Sequence, residues 1–135
     1  MAESTSDALF RWDVSLMDVG VSDDESCPWT WRLQPQELQE LMQFLAECSC
    51  RKWAELEADR TGGKERHKKH HDHPIADICR EGRERFYQSV SDESHDKLFR
   101  LRYGGKQRLW GIRDRAIFRI VWADVHHKVY PTEPS

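Results

Sequence analysis

Apolar and polar side chains alternate near the start of the chain: Phe10, Trp12, Val14 and Leu16 share one side, Arg11, Asp13 and Ser15 the other. This period of two predicts a half-buried strand or extended arm. Asp18 to Pro28 is acidic and rich in turn formers, hence a loop. Trp29, Trp31 and Leu33 alternate with Thr30 and Arg32 and predict a short strand. The period then changes. Pro35 suits a first helical position, where its missing N–H costs nothing. Leu38, Leu41, Met42 and Leu45 follow at i, i+3, i+4 and i+7, one apolar stripe of a helix running to about Cys50. Trp53 and Leu56 extend that stripe by another turn before Thr61-Gly62-Gly63 ends it. Lys64 to His73 is a basic, histidine-rich connector. Pro74 opens a second predicted helix with Ile75, Ile78, Cys79, Gly82 and Phe86 on one face.

The last third returns to period two. Phe99, Leu101 and Tyr103 alternate with Arg100 and Arg102; Trp110 and Ile112 with Leu109 and Gly111; Phe118, Ile120 and Trp122 with Ile117, Arg119 and Val121. Gly104-Gly105 and Asp114-Arg115 mark the turns between them. The expected order is β-α-α-β-β-β. This is an α+β fold with two helices packed on one face of an antiparallel sheet that ends in a three-stranded meander. Residues 1–7 are expected to be disordered, and residues 8–135 to form one domain with a flexible His/Lys-rich connector at 61–73.

Composition adds limits. With 135 residues the chain matches one domain of roughly 100–200 residues. No apolar run approaches the roughly 18 residues of a membrane span, so no membrane partner is expected. The polar, acidic start lacks the basic and apolar segments of a signal peptide. The four cysteines (27, 48, 50, 79) form no C-x-x-C pair, so the expectation is a cytoplasmic protein with reduced thiols. Charge is split. Residues 1–60 carry 13 acidic and 5 basic side chains, residues 95–135 carry 9 basic and 4 acidic. Either the basic part faces an anionic partner, or one half neutralises the other.

The C-terminal wording, Phe99-Arg-Leu-Arg-Tyr103, a glycine turn, Arg108-Leu-Trp-Gly-Ile-Arg113 and Phe118-Arg-Ile-Val-Trp122 with a His-containing exit, resembles the RelE/ParE toxin superfamily over roughly residues 29–130. It is closer still to a group of uncharacterised bacterial proteins that share a Gly-Lys-x-Arg-[Leu/Val]-Trp-Gly-Ile-Arg block followed by Trp-x-Asp-x-x-His, here Trp122 to His127. The resemblance implies a toxin of the toxin–antitoxin kind, in which this sheet faces messenger RNA on the ribosome and an antitoxin protein is the partner. It departs in two respects: this chain is slightly acidic, and the histidine connector is long.

Metal-free RNA cleavage needs a base for the 2′-hydroxyl proton, a cation for the developing phosphorane charge and an acid for the leaving oxygen. Arginine suits the second task because its planar fork grips phosphate oxygens bidentately. The candidate catalytic set is therefore Arg102, Arg113 and Arg119 as phosphate clamps, with His127 (or its neighbour His126) as acid/base. Arg100, Lys106, Arg108, Lys128 and Tyr130 are the candidate RNA-binding residues. The plain reading stands beside this: arginines on the open face of a half-buried sheet serve solubility alone, and Asp124 can pair with an arginine or cap the final turn. His67, His70 and His71 have helical metal-ligand spacing, but the interleaved lysines repel a cation. A solvated loop is the preferred reading, and no cofactor or metal is expected. The alternative function is a non-catalytic module of the same fold that binds a protein.

Overall fold

The computed structural model describes residues 6–19, 28–61, 68–89 and 96–130. Residues 1–5 of the expected disordered start, Cys27, and residues 62–67 of the 61–73 connector, His67 included, lie outside these. The elements are β1 (Arg11–Asp13), α1 (Pro35–Cys48), α2 (Trp53–Ala58), β2 (His71–Pro74), a 3-10 turn (Ile75–Asp77), α3 (Arg80–Ser89), β3 (Lys97–Arg102), β4 (Arg108–Asp114) and β5 (Ile117–Asp124). The fold is α+β, and the β3-β4-β5 meander is present. The sheet order is β1-β5-β4-β3-β2, with β1 parallel to β5 and the other pairings antiparallel. No helix among the described residues is long and apolar enough to cross a membrane.

Several elements differ from the pattern-based expectation. The first helix starts at Pro35, where the Gln34 N–H donates to Glu37 Oε1 at 2.7 Å, but it does not run on to Leu56. Instead the link between α1 and α2 bonds to the N-terminal arm: Phe10 N donates to Arg51 O, Trp53 N to Ala8 O and Ala54 N to Ser6 O. Those tertiary bonds replace the helical bonds that the sequence alone favours. The second half of the connector is not a loop either. Lys68 bridges to Arg60, His71–Pro74 is an edge strand against β3, and the helix opens at Arg80 rather than at Pro74. Trp29–Leu33 forms no strand. Trp31 takes a left-handed conformation (φ 64°) and donates its indole N–H to Val121 O at 3.0 Å.

The helices do not share one face of the sheet. One core holds Leu41, Leu45, Trp53 and Leu56 from α1 and α2 against Phe99, Leu101, Leu109, Phe118 and Ile120. The other holds Trp29, Ile75, Ile78 and Phe86 against Leu98, Trp110, Ile112, Val121 and Trp122. A bulge explains how Phe118, Ile120 and Trp122 part company. Gly111 pairs with Ile120 while Trp110 pairs with Trp122, so Val121 is the extra residue and Trp122 turns to the second core. The bulged Val121 carbonyl accepts from Asp18 N (3.1 Å) and the Trp31 indole.

Gly111 is what lets the strands approach there. A Cβ at this position would press into the Arg119 carbonyl oxygen and sit 2.7 Å from Phe118 Cζ. Gly111→Ala is therefore expected to lower stability by about 1–3 kcal/mol, as overpacking does. Urea melts at unchanged m-value would register this; an unshifted midpoint would show that the bulge yields.

Candidate nucleic-acid interface

Strand alternation places His71, Arg100, Arg102, Arg108 and Asp124 on the side of the sheet that carries the second core. The register sets them in rows. His71 lies opposite Arg100, which lies opposite Trp110; Arg102 lies opposite Arg108, which lies opposite Asp124. Two arginines facing each other across adjacent strands oppose folding by like-charge repulsion. Arg108 is fully buried and Arg100 nearly so, while Arg102 is half-buried and Lys106 and Lys128 are exposed.

Backbone carbonyls hold the guanidinium groups in place. Arg100 Nη2 donates to Lys69 O at 2.7 Å. Arg108 Nη1 donates to Gly105 O and Gln107 O, each at 3.1 Å, and Arg102 Nε to Gly104 O at 3.4 Å. Burial and then Arg108 and Arg102 lower the pKa of Arg100 to about 9; burial and then Arg102 lower that of Arg108 to about 10. Both remain charged at neutral pH.

Asp124 does not neutralise this group freely, because its carboxylate caps the exit of β5. It accepts from Lys128 N (2.9 and 2.8 Å) and Val129 N (2.8 Å), as the capping reading of the sequence has it. That turn presents His127, half-buried and left-handed (φ 59°). Its pKa falls to about 4, first through burial and then through Arg108, Arg100, Arg102 and Lys106. Four cations from β3, β4 and the turn between them thus act on one imidazole, which is neutral at pH 7. Tyr130 packs edge-on against His73 at 4.7 Å, and His73 lies 5.3 Å from Trp110.

Two of the four candidate catalytic residues are not part of this group. Arg113 projects to the other face, 3.9 Å over the Trp53 ring, and its Nη2 pairs with Glu57 Oε1 at 2.8 Å. Arg119 sits near the start of β5, roughly 15 Å along the strand from Asp124 at about 3.3 Å per residue. It is held by Asp13 (3.0 Å) and Asp114 (3.2 Å). Both guanidiniums are used to join the acidic N-terminal half, or the neighbouring strand, to the meander. That geometry takes both out of the phosphate clamp and leaves Arg102, which acts on the His127 imidazole.

No family model, curated protein or solved structure matched the chain on comparison.

His71 and His73 belong to the patch although pattern reading left them in a loop. The spacing His71-x-His73 is itself a period of two, but it is masked within a run of polar residues. Among the described residues no cluster of His, Cys, Asp or Glu is arranged to hold a metal ion. His70 is instead buried as a structural link: its Nδ1 accepts the Arg102 N–H at 3.1 Å and its Nε2 lies 3.3 Å from Asp59 Oδ2.

Proposed function

We propose that this domain binds the phosphodiester backbone of RNA on the patch formed by Arg100, Arg102, Arg108 and the β5 exit, in the manner its RelE/ParE-like wording implies. The supporting observation is the cross-strand register that sets Arg102 opposite Arg108, with Arg100 on the same side of the sheet and the β5 exit beside them. Arg102, Lys106 and Lys128 are the accessible phosphate contacts. The buried Arg100 and Arg108 raise the local potential from beneath, where solvent screens them less. A neutral His127 is in the protonation state of a general base at pH 7, so metal-free cleavage is the catalytic form of this reading. His127 takes the 2′-hydroxyl proton, the 2′-oxygen attacks phosphorus, and the bond to the 5′-oxygen breaks. A cyclic phosphate remains, and solvent protonates the leaving oxygen. The guanidiniums stabilise the phosphorane charge.

The test is anisotropy with a single-stranded oligoribonucleotide across a salt series. Three phosphate contacts give an expected slope of about −2 in log K against log salt. A triple variant Arg102→Gln, Lys106→Gln, Lys128→Gln should lose about a hundredfold in affinity and flatten the slope. His127→Ala should keep binding and abolish cleavage. Binding without any cleavage by the parent removes the catalytic half. Absent or salt-insensitive binding removes the reading and favours the protein-interaction module.

A further inference from the structure

A cleft of about 450 Å³ lies beside the patch, between the end of α1, residues 51–61 and the β3–β4 turn. Clefts of roughly 300–1,000 Å³ are the size that accept small ligands. One wall is aromatic: Phe44 and Tyr103 stack on each other with centroids 5.2 Å apart and planes at 29°. The Tyr103 hydroxyl is buried and has no hydrogen-bond partner among the described residues. Burial raises its pKa, so at neutral pH it is a donor.

The charge lining the cleft is lopsided. Arg51 grips Asp59 through two 2.8 Å bonds, and Asp59 also faces His70, so that carboxylate is already occupied. Arg60, Lys69 and Arg102 form no ion pair among the described residues, and all three line the cleft. Glu47 is the other carboxylate on the wall. Covalent chemistry has no nucleophile here, since burial pushes the Cys48 thiol up to about 12. The cleft therefore combines an aromatic wall, a buried O–H donor with no partner among the described residues and surplus cations.

We propose that this cleft binds a nucleotide, with its base against the Phe44–Tyr103 wall and its phosphate held by Arg60, Lys69 and Arg102. The Tyr103 hydroxyl then donates to the base or the ribose. A free nucleoside monophosphate and one nucleotide of an RNA strand present this same chemistry. The cleft shares Arg102 with the RNA patch, but Lys106, Lys128 and His127 do not line it, so nucleotide binding can be tested apart from the RNA reading.

Titration calorimetry with AMP, GMP, CMP, UMP and inorganic phosphate tests it on the full chain. At least one nucleotide is expected to bind saturably, with inorganic phosphate about tenfold weaker or more. Tyr103→Phe, which keeps the stacked wall, should weaken the nucleotide about fivefold, the effect of one neutral hydrogen bond. Lys69→Gln should weaken it about tenfold, and Arg80→Gln on the distant α3 should change nothing. A trinucleotide binding more than about tenfold tighter than the monophosphate assigns the site to a base of an RNA strand; equal affinity assigns a free nucleotide. The proposal is overturned if no nucleotide saturates, if phosphate binds as well as the nucleotides, or if both cleft variants are silent. Nucleotide binding that survives while the oligoribonucleotide shows no salt-dependent binding would remove the RNA reading and leave this one.

Discussion

Lowering the pH from 6.5 towards 4 is expected to unfold this protein. Four histidines, His70, His71, His73 and His127, have pKa values near 4, in each case with burial as the first cause. In the unfolded chain the same groups take protons near 6.5. Between those values the unfolded state binds more protons than the folded one, so stability falls as pH falls. Each group steepens that dependence by up to about 1.4 kcal/mol per pH unit. For the buried His70 the full window is worth about 3 kcal/mol; the others, nearer solvent, contribute less each. The lowered Asp59 carboxyl, bonded first by Arg51, acts in the same direction at lower pH. Asp124, raised by burial, acts against it. The combined loss is of the same order as a typical stability of about 5–15 kcal/mol. Urea titrations at stepped pH should show the midpoint dropping steeply below pH 6. His70→Gln should flatten part of that slope, and a midpoint independent of pH between 6.5 and 4 would refute the account.

Removing Asp18 is expected to cost about 3–5 kcal/mol, the effect of breaking a buried ion pair from one side. Asp18 is only 4% exposed and accepts from Arg85 Nε and Nη2, each at 2.7 Å, and from the Trp122 indole at 3.0 Å. Asp18→Ala leaves the Arg85 charge and the Trp122 N–H without this acceptor and loosens the arm from α3 and β5. Asp18→Asn keeps the acceptor for Trp122 and should cost less. Replacing both partners, Asp18→Ala with Arg85→Met, should recover much of the loss, because the stranded charge is then gone. Thermal and urea melts of the three variants measure this. A loss below about 1 kcal/mol in Asp18→Ala would place the pair among weak surface bridges.

The meander was legible in the sequence because local chemistry alone specifies it. Period-two strands are joined by Gly104-Gly105 and by Arg115, whose φ of 58° suits the tight turn. What escaped pattern reading depends on distant partners. The break after Cys48 exists because Ser6–Phe10 supplies backbone bonds to residues 51–54. The second core stayed hidden because a single inserted residue, Val121, sends Trp122 to the opposite face. Among the site residues, the shared side of Arg100 and Arg102 followed from alternation. The departure of Arg113 required the position of Trp53, sixty residues earlier in the chain, which no local pattern contains. Leu38 and Met42 show the same limit: they complete the helical stripe in sequence, yet stay exposed at 47% and 45% while Leu41 and Leu45 are buried.

The parallel pairing of β1 with β5 joins residues about a hundred positions apart. The outer edge of the eight-residue β5 is sealed by the three residues of β1. Closing this edge therefore brings together residues far apart in sequence, a long-range step of the kind that slows folding. Until Arg11–Asp13 docks, a nascent or N-terminally clipped chain presents that edge to other copies of itself, as unpaired edges do. Proteolytic trimming at the amino end would then appear first as self-association, before any change in the arginine patch.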